Sequence, residues 1–119
     1  MKIKKFDTKK KILIVGEIGN NHEGCFETAK KLINMAAKAG VDAVKFQTYK
    51  TEKFISIDDR KNFKKFKKFE LSFSQFRKLK SYANQKKLLF ISSALDLESA
   101  SFLIKNSDAI KVASSDNDF

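Results

Sequence analysis

Scarce residues set the first limits on this chain. Cysteine occurs once in 119 residues, at Cys25, so an intrachain disulfide and a multi-cysteine zinc site are both excluded. Histidine also occurs once, at His22, and a single imidazole assigns no metal site. Arginine is confined to Arg60 and Arg77, although it reads phosphates and bases better than lysine does. No run of about 18 uncharged apolar residues is present, and no basic segment leads into an apolar one with a small-residue cleavage site. A cytoplasmic protein that does not cross a membrane is therefore expected. The glycines at Gly16, Gly19 and Gly24 do not have the G-x-G-x-x-G spacing of a dinucleotide fingerprint. Neither an internal repeat nor a low-complexity linker interrupts residues 1–119, which are read as one unit.

Lysine is what the chain has in excess. Lys and Arg total 25 against 14 Asp and Glu, a formal charge of +11. Such an excess ordinarily points to nucleic acid or an anionic membrane. Here it is almost all lysine and is spread along the whole chain, as on a solvated surface. Abundant lysine with no proline fits a biased codon composition equally well. A basic module for nucleic acid or another polyanion is thus kept as the second reading.

Periodicity supplies the fold class. Ile12-Leu13-Ile14-Val15 is a short apolar run ending at Gly16, the pattern of a strand buried on both faces. A loop with Asn20 and Asn21 follows, and Cys25 is expected to be a small buried residue near the start of the next helix. Ala29, Leu32, Ile33 and Ala36 then recur at helical spacing, with Lys30, Lys31, Asn34 and Lys38 outward and Gly40 at the C-terminal cap position. Val41 to Phe46 reads as a second strand, so strand, helix and strand fit the size of a βαβ unit. Phe63, Phe66 and Phe69, interleaved with lysines, read as one face of a helical turn or two. Ser72 and Gln75 match a capping box opening a helix through Phe76, Leu79 and Ala83 to about Lys87. Leu88 to Ile91 is a third strand, ending in Ser92-Ser93. Asp96 caps a helix over 97–105 with Ala100, Leu103 and Ile104 inward, and Ala109 to Ala113 is a fourth strand. Regular strand–helix alternation predicts a parallel α/β sheet, either a barrel or doubly wound.

In both architectures the chemistry gathers beyond the carboxyl ends of the strands. The first strand delivers Glu17, Asn21 and His22; the second Lys45 and Gln47; the third Ser92 and Ser93; the fourth Lys111, Ser114 and Asp116. Two ammoniums, several hydroxyls and two carboxylates suit an anionic, phosphorylated substrate. Lys45 and Lys111 carry most weight, since an unpaired ammonium in an apolar strand is costly. Each could instead reach solvent or pair with Glu17 or Asp116.

These residues also carry a resemblance. GEIGNNHEG from Gly16 to Gly24, AKKLINMAAKAGVDAVKFQTYK from Ala29 to Lys50, LFISSALDLES and IKVASSD resemble, in order, the opening of the sialic acid (N-acetylneuraminate) synthase family, which includes pseudaminic and legionaminic acid synthases. The resemblance covers nearly the whole chain. It implies an α/β fold of the (β/α)8 TIM-barrel type, of which residues 1–119 are the N-terminal portion with about four strands and no second domain. It further implies condensation of phosphoenolpyruvate with an open-chain N-acetylated amino sugar of the N-acetylmannosamine type to a nine-carbon 2-keto acid. By position, Lys45, Ser93, Lys111 and Ser114 would hold phosphoenolpyruvate, with Gln47, Asn21 and His22 also on the substrate. Glu17 and Asp116 would be the catalytic carboxylates. A divalent metal, Mn or Mg, is implied, with ligands among histidines from strands five to eight, so this chain is expected to supply none. Ser92-Ser93-Ala94-Leu95 stands where the family shows S-T-P-F, and Ser114-Ser115-Asp116 where it shows S-G-E or S-G-D. By itself the half barrel is expected to be inactive, and a second chain or a homodimer could complete it.

Overall fold

The computed structural model describes residues 1–116. Lys2–Ile3 (β1) and Phe6–Asp7 (β2) form a small antiparallel hairpin. There follow Val15–Gly19 (β3), Phe26–Ala39 (α1), Ala43–Thr48 (β4), Thr51–Phe54 (α2), Arg60–Phe69 (α3) and Phe73–Gln85 (α4). Leu89–Ala94 (β5), Leu97–Asn106 (α5), Ala109–Lys111 (β6) and a 3-10 turn at Ser114–Asp116 complete the described chain.

The four later strands make one parallel sheet in the order β3-β4-β5-β6. A doubly wound sheet reverses its order at a switch point, whereas unbroken chain order is how a (β/α) barrel winds. The open alternative from the sequence is thereby resolved in favour of the barrel type, present here as a four-stranded portion.

Local signals explain most element ends. Gly40 closes α1 in the left-handed region at φ 84°, its N–H bonding back to the last turn, which a β-carbon would disfavour. Ser72 and Gln75 form the reciprocal capping box that opens α4. Asp96 caps α5, its carboxylate accepting from the Ser99 N–H at 2.7 Å. Ala29 and Ile33 of α1 and Phe76, Leu79 and Ala83 of α4 are buried against Val44, Phe46 and Phe90 of the sheet. The Phe46 and Phe90 rings stack at 5.3 Å, and Phe76 meets Phe46 edge-on at 6.1 Å.

Several expectations need correction. The first strand begins at Val15, not Ile12. Asp42 accounts for the shift: its carboxylate accepts from the Ile14 N–H at 2.9 Å and from the Lys11 ammonium at 2.7 Å. The Ile14 carbonyl in turn takes the N–H groups of Asp42 and Ala43. This anchor replaces the ladder at Ile14, and Ile12 and Ile14 are left exposed on the outer edge. Cys25 is exposed rather than buried, because it is the N-cap residue of α1 and the buried place in that turn is taken by His22. In α5, Leu103 is buried but Ile104 is exposed; among the described residues no element packs beyond α5 on that side. The lysine-rich lead-in contains the β1–β2 hairpin, which sits beneath the amino ends of the strands. Lys4 and Phe6 share a cavity there with Val41, Leu88 and Leu89. Lys4 ion-pairs at 2.7 Å with Asp108, whose buried carboxylate also accepts the Phe90 N–H at 2.8 Å.

Candidate functional site at the carboxyl end of the sheet

Strand register decides which predicted residues meet. Glu17 is opposite Lys45, Lys45 opposite Ile91, Gln47 opposite Ser93, and Ser93 opposite Lys111. Because side chains alternate along a strand, these polar residues share one face. Val44, Phe46, Thr48, Phe90 and Ser92 share the other, under the helices. Gln47, Ser93 and Lys111 thus form one row across three adjacent strands that lie about 5 Å apart, and Lys45 is on the same face two residues earlier in β4.

Each position has its own environment. Lys45 is largely shielded, its side chain 19% exposed, and its ammonium pairs with the half-exposed Glu17 carboxylate. One of the alternatives left open by the sequence, a Lys45–Glu17 pair, is therefore realised. Ser93 is buried, and Lys111 is exposed at the sheet edge. Ser92, raised with Ser93 as a phosphate contact, is turned the other way: its hydroxyl donates to the Phe46 carbonyl at 3.0 Å and lies 2.8 Å from the Thr48 hydroxyl. A single residue of alternation separates the two serines.

The loop after β3 folds over the same end. His22 is 1% exposed and stacks on Phe46, and its Nδ1 accepts the Gly24 N–H at 2.9 Å. Its Nε2 therefore carries the proton, and that atom is buried without a partner. Burial lowers the His22 pKa, favouring the neutral ring. Asn21 is exposed, whereas Asn20, which the sequence reading passed over, donates from Nδ2 to Gln47 Oε1 at 3.0 Å. The signal for Asn20 was present in its place directly after the strand's last residue.

Two clefts flank the row. One, of about 340 Å3, is lined by Asn20, Asn21, Glu23, Gln47, Lys65, Phe66 and Phe69. The other, of about 480 Å3, places Lys111 and Asp116 beside Leu95, Leu97 and Val112. Ser114 is exposed at the start of the 3-10 turn. Glu17 and Asp116 consequently stand at opposite edges of the sheet, and the structure does not bring the two carboxylates together. Among the described residues no three His, Cys, Asp or Glu side chains are grouped to hold a metal. Glu17 is engaged with Lys45 and His22 with Gly24. The described residues do not by themselves fit a divalent-metal site.

Comparison with known proteins places this geometry. The model of the NeuB family matches residues 32–119. The chain belongs to the NeuB family. It is 44% identical over 107 residues to an uncharacterized protein of Methanocaldococcus jannaschii, the match covering 89% of this chain and 32% of that protein. It is 36% identical over 107 residues to the N,N'-diacetyllegionaminic acid synthase of Campylobacter jejuni, covering 79% and 32%. This NeuB-family chain also superposes on the crystal structure of the N-acetylneuraminic acid (sialic acid) synthetase of Leptospira borgpetersenii, in complex with citrate. The TM-score is 0.82 at 28% identity, over 87% of this chain and 37% of that one. The chain spans about a third of the length of the curated relatives it matches. No helix among its described residues is long and apolar enough to cross a membrane.

Proposed function

We propose that this NeuB-family chain supplies the phosphoenolpyruvate-binding part of a synthase site, in which phosphoenolpyruvate condenses with an N-acetylated amino sugar of the N-acetylmannosamine type. The observation that carries the reading is that Lys45, Ser93 and Lys111, from three adjacent strands, share the sheet face opposite the helices. Two ammoniums flanking a buried hydroxyl suit a small ligand with a phosphate and a carboxylate. Glu17 is the resting counter-ion of Lys45; a ligand carboxylate takes that place and frees Glu17 to accept or return a proton.

In the reaction so assigned, C3 of phosphoenolpyruvate attacks the aldehyde carbon and the aldehyde oxygen takes up a proton. Water adds to C2, and the C2–O bond to phosphate breaks, leaving a nine-carbon 2-keto acid and inorganic phosphate. Lys45 and Lys111 hold the anion and the charge that develops on it; Ser93 and Ser114 add hydrogen bonds. Gln47, Asn21 and Asp116 face the sugar, and His22 holds the loop that carries Asn20 and Asn21. The outer edges at β3 and β6 leave Ile12, Ile14, Ile110 and Val112 exposed, and the remaining strands of the barrel pair there, in the same polypeptide or from a second chain or copy. The four-stranded portion alone has no synthase activity.

Phosphoenolpyruvate titrated into the purified chain tests the reading. A ligand at 100 times its dissociation constant stabilises the native state by about 2.7 kcal/mol, a rise readily followed by urea denaturation. Lys111→Met, at an exposed edge, is expected to abolish that rise while leaving the unliganded midpoint in place. No rise with the parent chain overturns the assignment.

A further inference from the structure

The amino end of the sheet holds a cavity that the proposed synthase site does not use. It lies between the β1–β2 hairpin and the starts of β4 and β5, has a volume of about 730 Å3 and is walled by Phe6, Val41, Leu88 and Leu89. That size is in the range of clefts that enclose small organic ligands. Its walls are held in place. The Lys4 ammonium reaches Asp108 at 2.7 Å, which ties the hairpin to the residue before β6. The Thr8 N–H and hydroxyl close the hairpin on the Met1 carbonyl at 2.9 and 3.0 Å, and on the opposite wall the Leu89 N–H donates to the Asp42 carbonyl at 3.0 Å. Ser93 stands four residues beyond Leu89 in β5, about 13 Å along the strand, so the cavity and the face assigned to phosphoenolpyruvate are separate.

The charges around this cavity do not balance. Lys4, Lys5, Lys11 and Lys87 line it against one carboxylate, Asp42. Asp42 is taken by Lys11 at 2.7 Å, and Lys4 is matched by Asp108. Among the described residues no carboxylate lies within ion-pair distance of Lys5 or Lys87. Two free ammoniums beside an apolar wall suit an anion carried on an apolar body. The backbone gives a second indication. Lys4 opens the two-residue turn of the hairpin at φ 53°, and Lys87 follows the C-cap of α4 at φ 63°. Both are left-handed positions that glycine fills without strain and a side chain does not. In two turns far apart in the chain, a lysine thus stands where glycine would fit more easily, and both lysines line the same cavity. Lys4 has Asp108 as its partner; Lys87 is left for a ligand.

We propose that this cavity is a second ligand site, which takes an organic dianion, a phosphate monoester on an aromatic or aliphatic body, with the phosphate between Lys5 and Lys87 and the body against Phe6, Leu88 and Leu89. The site goes beyond the synthase reading and shares no residue with it. The probe is phenyl phosphate, titrated into the full chain while backbone amide resonances are followed; inorganic phosphate and benzyl alcohol serve as its charged and apolar halves. Phenyl phosphate should shift the amides of Phe6, Leu88 and Leu89 saturably and bind about tenfold more tightly than either half. Lys87→Gly removes the ammonium and relaxes the left-handed backbone, so it should weaken phenyl phosphate about tenfold without lowering the urea midpoint. Lys5→Gln should weaken it to a similar extent. Lys10→Gln changes the net charge equally at an exposed lysine outside the cavity, and should leave the affinity in place. The proposal is overturned by the absence of saturable shifts at the cavity, or by shifts confined to Lys45 and Ser93. It is equally overturned if either half binds as tightly as phenyl phosphate, if Lys87→Gly keeps the parent affinity, or if Lys10→Gln loses as much as Lys87→Gly.

Discussion

Lys45 and Phe46 are neighbours in β4 and do opposite work. Phe46 is fully buried against α1 and α4, in ring contact with Phe90, Phe76 and His22. Lys45 points to the uncovered face, where it meets Glu17. The contrast extends across the sheet: the face under the helices is held by apolar packing, and its few polar side chains, Thr48 and Ser92, satisfy each other. The other face carries the separate charges. Alternation with period two lets one six-residue strand serve both the core and the candidate site, and it makes the two separable by mutation.

The largest effect expected on that contrast comes from Phe46→Ala. Removing a fully buried phenylalanine costs about 3–5 kcal/mol, a large part of the roughly 5–15 kcal/mol that holds a small domain together. Urea titration by circular dichroism should show the midpoint collapse, along with loss of phosphoenolpyruvate binding as a consequence of unfolding. A stable Phe46→Ala chain would mean that the helix-covered face is not what holds the sheet.

A smaller effect, dependent on pH, should come from the residue that stacks on Phe46 from the loop. His22 is protonated less readily in the fold than in the unfolded chain, where its pKa is near 6.5, because burial disfavours the cation. The unfolded chain therefore binds more protons once the pH falls below about 6.5. The stability that neutral His22 contributes is complete above that value and is lost as the pH falls toward its lower folded value. Carboxylates held low by their partners, such as Asp42 beside Lys11, withdraw their contribution only further into acid. Denaturation midpoints between about pH 6.5 and 5 should accordingly decline in the parent chain and flatten in His22→Gln, whose amide oxygen can still accept the Gly24 N–H. A parallel decline in both would assign the acid sensitivity elsewhere.

How much of this was legible beforehand follows the same division. The helix stripes, Gly40, the capping box at Ser72 and the Asp96 cap were readable because each depends on a few consecutive residues. So were the places of Lys45 and Lys111 on strands, since a cation inside an apolar run stands out in one dimension. What stayed hidden depends on partners distant in the chain. The start of β3 is set by Asp42, and the β1–β2 hairpin, too short for any periodicity, is tied down by the Lys4 pair with Asp108. The choice between Ser92 and Ser93 needed the register with β4, and the choice of Asn20 over Asn21 needed Gln47.

The smallest effect on the fold, and the strictest test of the contrast, belongs to Lys45→Met. A methionine stem fills nearly the volume of the lysine chain, and the lost partner, Glu17, is half exposed and regains water. Ion pairs of that exposure contribute about 0–1 kcal/mol, so the urea midpoint should scarcely move. Phosphoenolpyruvate stabilisation should nevertheless disappear, because the phosphate or carboxylate then meets Glu17 without the ammonium between them. If Lys45→Met instead destabilises the chain by as much as a core truncation, the Lys45–Glu17 pair is a structural tie. The uncovered face would then share in holding the sheet, and the division between Lys45 and Phe46 would not hold.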